Sequence, residues 1–251
     1  MTETKIPERR VQRVRHELHR RDVEVVRIER PSPHFVAITF AADSLREFVS
    51  LGFDDHVKFM FDDVGGGNGG EPLRRDYTPR SWDLARGELT LEFAVHGHGG
   101  AGNCADRAQL GQRAVIAGPR GSMIVPTDYD WQLLVGDASA LPAIHRRLEE
   151  LPEGTRAIVV MLMPEPADRR EIASRAQVDL HWVASDEELL AAVRALALPA
   201  GEGFSWCAGE AGLMARLRAV LVEEKGQTKE AMKVAAYWKP GAADFHETLE
   251  A

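Results

Sequence analysis

The pattern of the chain changes once, at Gly118-Pro119-Arg120-Gly121, and that change limits what it can fold into. Before it lie short runs rich in β-branched and aromatic residues: Val23–Ile28, Phe35–Phe40, Val57–Phe61, the stretch around Arg75–Trp82, Glu88–His96 and Gln112–Ala117. Many short strands separated by turns predict a small antiparallel barrel of six strands. After the switch, strands alternate with helices. Trp131–Val135, Ala157–Met163, Leu180–Val183, Phe204–Ala208 and Lys233–Tyr237 read as strands, with helices from Leu141 to about Glu150, Asp186 to Leu196 and Ala211 to about Lys225. That alternation predicts a doubly wound, mostly parallel α/β sheet. A chain of 251 residues suits two such domains of about 110 to 130 residues each. We place them at 23–124 and 128–251, after a leader at 1–22. The leader carries seven Lys or Arg between Lys5 and Arg21, with Val11, Val14 and Leu18 at roughly helical spacing. It suits an amphipathic helix, a partner-binding arm or, preferably, a solvated segment.

Composition narrows the function. The net charge of −8 disfavours nucleic acid as a partner, because neutralising phosphates needs a basic face. No apolar run is long enough to span a membrane and the N-terminus has no apolar signal region, so a cytoplasmic protein without a membrane partner is expected. Cys104 and Cys207 lie far apart without metal-site spacing, which makes packing residues of both. A monomer is expected.

The most informative stretch is Arg75-Asp76-Tyr77-Thr78-Pro79-Arg80-Ser81-Trp82. Read as one extended strand, it puts Thr78 and Arg80 on one face and Arg75, Tyr77 and Pro79 on the other. An aromatic ring, a hydroxyl and guanidinium forks suit the ring, N5 edge and pyrophosphate of a flavin. Tyr77 and Thr78 are therefore the candidate catalytic pair, with Arg75 and Arg80 as further cofactor ligands. The same residues also suit an ordinary edge strand with exposed arginines.

Glycine marks the other candidates. Gly65–Gly70 lacks the Lys-Ser or Lys-Thr that a phosphate loop requires and reads as a floppy loop. His96-Gly97-His98-Gly99-Gly100-Ala101-Gly102-Asn103 leads into a predicted short helix whose free amides could take a pyrophosphate; its two histidines have no third ligand nearby, so a surface turn is preferred to a metal site. In the α/β half, Gly136-Asp137-Ala138-Ser139 and Ala208-Gly209-Glu210 follow strands, where doubly wound sheets bind ligands, although neither is the six-residue dinucleotide fingerprint. Arg169 and Arg170, just past the second strand of that half, could hold a ribose 2′-phosphate, which prefers NADPH over NADH.

Taken in order, Asp55-His56-Val57-Lys58, Arg75–Arg80, His96-Gly97, Gly118–Gly121, Gly136–Ala143, Ala208–Glu210 and Tyr237-Trp238-Lys239-Pro240-Gly241 resemble the siderophore-interacting proteins, flavin-dependent ferric-siderophore reductases of ferredoxin-reductase-like fold. The resemblance covers nearly the whole chain after Val23. It implies an FAD-binding barrel, a nicotinamide-binding domain, a flavin N5 held near Thr78, and reduction of a ferric siderophore in the cleft between the domains. It also brings Lys58 and Lys239 towards the substrate mouth, where Tyr237 and Trp238 could cover flavin or chelate. Three features depart from the family's pattern: Ala105 stands where a tryptophan is usual, Ala138-Ser139 replaces Glu-Thr, and the long glycine loop precedes the flavin strand. A general flavin or ferredoxin-type reductase, and a non-catalytic siderophore-binding module, are the competing functions.

Overall fold

The computed structural model describes residues 10–61, 73–95, 105–242 and 247–248. The first half forms β1 (Gln12–Arg15), β2 (Arg20–Ser32), β3 (Phe35–Ala41), β4 (Val57–Phe61), β5 (Leu73–Tyr77), β6 (Pro79–Asp83), β7 (Glu88–Ala94), β8 (Arg113–Ala117) and β9 (Gly121–Ile124). Seven of these make one antiparallel sheet in the order β5-β4-β8-β2-β3-β7-β6. The two ends of that order, β5 and β6, are consecutive in the chain with only Thr78 between them. The sheet must therefore curl until its edges meet at Thr78, which makes it a barrel.

The expected strand from Arg75 to Trp82 is thus two strands at opposite edges of the sheet, and seven strands replace the six expected. Face-sharing by alternation consequently does not carry across Thr78. Inside the barrel, β2 alternates in burial, with Val23 and Val25 inward, as a strand with one solvated face should. The leader also differs from expectation: Gln12–Arg15 pair antiparallel with β9 as a two-stranded ribbon. Val11 and Val14, at helical spacing in the sequence, are half-buried there.

The second half forms β10 (Trp131–Gly136), α1 (Leu141–Glu150), β11 (Arg156–Leu162), β12 (Gln177–Val183), α2 (Asp186–Ala195), β13 (Gly203–Glu210), α3 (Ala211–Ala219), β14 (Met232–Trp238) and β15 (Glu247–Thr248). Its sheet runs β12-β11-β10-β13-β14-β15, parallel except for the last pair. The chain winds from β10 outward to β12 and then returns to β13 on the other side of β10. The crevice at the carboxyl ends of β10 and β13 is therefore the topological switch point. Every residue of β10 is buried, as expected of a parallel strand covered on both faces. Leu133, Val135 and Cys207 pack under α2 and α3. On the other face Leu134, Val159 and Trp206 share a cluster with Ile144 and Leu148 of α1 and with Phe35 and Phe53 of the barrel. One hydrophobic core thus spans both halves.

Polar groups are sealed into the same junction. Asp54, 4% exposed, accepts the Trp206 indole N–H at 2.8 Å and pairs with Lys233. Arg146 donates to the Pro79 carbonyl at 3.1 Å and to Ser50 Oγ at 3.0 Å. Arg170 pairs with Glu92, and His34 Nδ1 lies 2.8 Å from Asp168 Oδ2. His145 on α1 is buried and its Nε2 has no hydrogen-bond partner. Burial, with the charges of Arg80 and Arg170, pushes its pKa down to about 3.

That shift has a definite sign. In the unfolded chain His145 takes a proton as pH falls through about 6.5, whereas the folded protein refuses it until about 3. Its contribution to stability is fully present above the unfolded pKa and is lost as pH falls towards the folded one. We expect the parent to lose roughly 1–2 kcal/mol more than His145→Gln between pH 7 and pH 5 in urea titrations. Equal losses in both proteins would show that His145 is not held neutral at the junction.

Candidate functional site

On the barrel side the candidates gather around the closure. Thr78 is 7% exposed and sits at the meeting of β5 and β6. Beside it the half-buried Tyr77 packs its ring 4.3 Å from Phe93 and edge-on to Phe59, both core residues of the barrel. The barrel interior therefore fixes the tilt of that ring. Arg75, half-buried on β5, donates to the Arg74 carbonyl at 2.6 Å. Arg80 is placed otherwise: its fork grips both Glu149 carboxylate oxygens of α1, at 2.7 and 2.8 Å. Lys58 of β4 stands opposite Asp76 of β5 in the strand register and bonds its Oδ2 at 3.1 Å. The other oxygen of Asp76 is buried and has no hydrogen-bond partner.

On the sheet side one carboxylate organises the switch point. Asp137 follows β10, and its Oδ1 accepts from the Ser139 backbone N–H at 2.8 Å and hydroxyl at 2.5 Å. Its Oδ2 accepts from the Glu210 N–H at 2.9 Å and the Trp238 indole N–H at 2.8 Å. Three stretches far apart in sequence, at the ends of β10, β13 and β14, are thus held by one side chain. Glycine is required where they approach: a side-chain carbon on Gly136 would lie 2.4 Å from Ala140 and 2.8 Å from the Ala208 carbonyl, and one on Gly209 would lie 2.7 Å from Asp137 Oδ2. Glu210 turns back to accept from the Leu213 N–H at 2.8 Å and so caps α3.

Tyr237 joins the two sides. Its ring meets Trp206 edge-on at 6.2 Å. Burial, reinforced by the nearby carboxylates of Asp54, Asp55, Asp76 and Asp137, raises its hydroxyl well above the ordinary tyrosine range. Tyr237 packs against the apolar cluster shared by Phe35 and Phe53 of the barrel and Trp206 of the sheet, so it lies at the junction of the two domains. Trp238 and Lys239 follow at the exposed lip.

The paired arginines expected at a 2′-phosphate are placed differently. Arg169 folds onto the Met163 carbonyl at 3.1 and 3.2 Å, while Arg170 is drawn to Glu92 of the barrel across the face of Phe35. His96, Gly97, Gly100, Ala101, Gly102 and Asn103 lie outside the described residues, as do Cys104 and the glycine loop at 65–70. Sequence reasoning missed Asp54, Lys233, Glu149 and Glu92, the charged residues that dock the domains. The available signal was a lysine opening the otherwise apolar run of β14. Sequence reasoning also missed Arg146 and Arg147 of α1, which are buried.

The residues present fit a flavin: a half-buried aromatic ring, a buried hydroxyl and a half-buried guanidinium are adjacent at the barrel closure. An antiparallel barrel docked on a parallel sheet, with the cleft at the sheet's switch point, is the two-domain fold of ferredoxin-reductase-like proteins. The family described as Siderophore-interacting protein matches residues 129–241, and Siderophore-interacting FAD-binding domain matches 24–69 and 63–123. The chain is 34% identical over 245 residues to the NADPH-dependent ferric-chelate reductase of Escherichia coli, covering 90% of this chain and 96% of that protein. It is 27% identical to the ferric vibriobactin reductase of Vibrio cholerae, over 90% and 92% of the two chains. A siderophore utilization protein from T. fusca superposes with a TM-score of 0.85 at 28% identity, over 94% and 98%. The chain belongs to the siderophore-interacting protein family.

In Asp137→Asn an amide N–H2 must face donors whichever way it turns. We expect a loss of roughly 1–3 kcal/mol in urea titration. A red shift of tryptophan emission should accompany it and be missing when the change is made in Trp238→Phe. Unchanged emission in the single variant would show that Asp137 does not hold the indole.

Proposed function

We propose that this protein reduces the Fe(III) of a siderophore with electrons from NADPH, through FAD bound at the barrel closure. The observation that carries the reading is the adjacency of Tyr77 and Thr78 at the barrel closure, set in a fold whose 34% identical relative is named a ferric-chelate reductase. FAD supplies the conversion of a two-electron hydride into single-electron transfers, chemistry that belongs to the cofactor.

The chain's residues bind and orient. Tyr77 offers its ring to the isoalloxazine and Thr78 its hydroxyl to the N5 edge. Arg75 offers a charge-assisted fork to the pyrophosphate, and the glycine turn from His96 to Asn103 takes the phosphate tail. Arg80 could reach a phosphate only by exchanging Glu149 for it, so we assign it to domain docking. The crevice formed by Gly136, Ser139 and Gly209, shaped by Asp137 and Glu210, receives the nicotinamide. Selection of NADPH is supported by the relative's name and, on this chain, by Arg169 alone, since Arg170 is committed to Glu92. The chelate meets Trp238 and Lys239 at the lip, with Tyr237 behind them. On this reading residues 23–124 are the FAD-binding domain and 128–251 the nicotinamide-binding domain. It works as a monomer in the cytoplasm, where reduced nicotinamide is supplied. No helix among the described residues is long and apolar enough to cross a membrane.

Reduction also loosens the metal, because hard anionic oxygen donors hold Fe(III) far better than Fe(II). The test is anaerobic mixing of the FAD-loaded protein with NADPH and a ferric siderophore, with a ferrous-specific chelator as the readout. Flavin reduction without Fe(II) release would leave a general flavin reductase. Thr78→Val should retain FAD yet slow its reduction. Arg75→Ala should weaken FAD binding by about 1.5–3 kcal/mol, the typical loss of a charge-assisted contact. Thr78→Val reduced at the parent rate would remove the hydroxyl from the reaction.

A further inference from the structure

A hydrogen-bonded chain that the proposed function leaves unused runs inward from the ribbon of β1 and β9. Asp55, in the loop before β4, is buried, and its Oδ2 accepts from the Ser122 hydroxyl at 2.6 Å, the Ser50 hydroxyl at 2.8 Å and the Gly52 N–H at 3.1 Å. A hydroxyl carries one proton, and Ser122 gives its own to Asp55. Its oxygen therefore accepts from its other neighbours, the Leu51 N–H at 3.1 Å and His16 Nε2 at 2.7 Å, which makes His16 the Nε2–H tautomer while Asp55 is ionised. His16 is half-buried and lines a surface pocket of about 130 Å3 with the exposed His19 and Glu17. The chain thus leads from solvent to a sealed carboxylate.

Its inner end is tied to the barrel closure. Nη1 of Arg146 bonds both Ser50 Oγ at 3.0 Å and the Pro79 carbonyl at 3.1 Å, so Asp55 is linked through Ser50 to the peptide that follows Thr78. The titratable groups facing Asp55 are Asp54 in its own loop, Arg146 and Glu150 of α1, and Tyr237 of β14. Burial opposes the charge of Asp54, but Lys233 and the Trp206 N–H outweigh burial and hold that carboxyl below the ordinary range. Asp55 is held by neutral donors, and burial pushes its pKa up in spite of them. Tyr237, raised by burial and by these acids, keeps its proton. Adjacent carboxyls driven apart in this way divide into a fixed charge and a proton acceptor.

We propose that Asp55 takes up a proton from solvent, through His16 and Ser122, when the bound flavin is reduced, and returns it when the electrons leave for iron. The inference rests on the function proposed above. A hydride brings two electrons and one proton, so its arrival adds one negative charge to a water-poor junction, and a like charge nearby disfavours ionised Asp55. Solvent protonates His16 at Nδ1. The Nε2 proton then passes to Ser122 Oγ as the Ser122 proton passes to Asp55 Oδ2, which leaves His16 neutral and Asp55 uncharged. Two Fe(III) later take the two electrons alone. The proton on Asp55 and the one the hydride brought both return to solvent, so each NADPH oxidised yields one net proton.

The experiment needs no chelate. The flavin midpoint potential of the FAD-loaded protein, measured across neutral pH, counts by its slope the protons bound per two electrons. About two are expected for the parent and about one for Asp55→Asn, since the variant keeps only the proton of the hydride. His16→Gln keeps an N–H for Ser122 but relays nothing. After mixing with NADPH, its proton uptake, followed with an indicator dye, should lag flavin reduction on the order of a hundred-fold, and added imidazole should restore it. Equal slopes in parent and Asp55→Asn would overturn the proposal. So would uptake in His16→Gln that keeps pace with reduction, or a lag that imidazole leaves in place, which makes His16 a structural partner only. Should Asp55→Asn not fold, the parent decides: its reduced-minus-oxidised infrared spectrum must show the C=O band of a newly protonated carboxyl, and a spectrum without that band sinks the idea. A protein that takes up no FAD removes the proposed function and this inference together. If FAD binds and these readouts fail, only the role of Asp55 falls.

Discussion

The molecule depends on a carboxylate taken out of water. Asp54 comes from the barrel, yet its partners Trp206 and Lys233 belong to the parallel sheet. Burial alone would raise its pKa, but the Lys233 ammonium and the indole N–H outweigh it and hold the carboxyl below the ordinary aspartate range. A buried ion pair is weak evidence of net stability, because desolvation opposes the attraction; removing one partner is nevertheless costly, about 3–5 kcal/mol, since the other charge is stranded. The pair therefore specifies geometry. Domains that slid or rotated at this point would strand both charges, so the relative placement of barrel and sheet is fixed even though much of their junction is polar.

Fixed placement is what the chemistry requires. On the proposed function, a hydride donor in the sheet crevice and an acceptor at the barrel closure must sit at a set distance and angle, and small displacements are costly in rate. The other junction contacts act in the same sense. Arg80 grips Glu149, Arg146 holds the carbonyl of Pro79 next to Thr78, and Arg170 ties Glu92 across Phe35. The Arg146 contact bears most directly on the reaction, since it anchors from the sheet domain the peptide that follows the candidate hydroxyl. Helix α1 thereby both covers the parallel sheet and positions the barrel's closure.

How far the sequence revealed this depended on the range of the interactions. Periodicity exposed the two layers because burial repeats every second residue in a half-solvated strand and fills an entire parallel one, as in β2 and β10. The glycine turns after β10 and β13 were legible for a local reason, as backbone must pass closely there. The break at Thr78 was not legible. Nothing in Arg-Asp-Tyr-Thr-Pro-Arg distinguishes one long strand from two, because the break is imposed by closure of a sheet whose other strands lie far away in sequence. Nor could Arg80, Arg146 and Arg170 be told from solvated or ligand-binding arginines. Their partners Glu149, Ser50 and Glu92 become neighbours only when the two halves dock, and charge in a sequence does not announce its partner.

That blindness to partners also bears on the reading of the lysines. Lys58 sits in a motif that implies a cationic host for an anionic chelate, and as an isolated residue it would be one. In the fold it is bracketed by the strand register itself: β4 and β5 place Asp76 opposite it, on the same face and within bonding distance. Cross-strand pairing of opposite charges stabilises the sheet edge, but it also spends the charge that a ligand would have met. Asp137 shows the converse. A residue that the sequence offers as a cofactor ligand at a strand end accepts four hydrogen bonds from the chain itself and carries the orientation of Trp238 from the crevice to the lip. The crevice proposed for the nicotinamide and the exposed Trp238 ring are thus two ends of one hydrogen-bonded unit, so a change that reshapes one must be felt at the other.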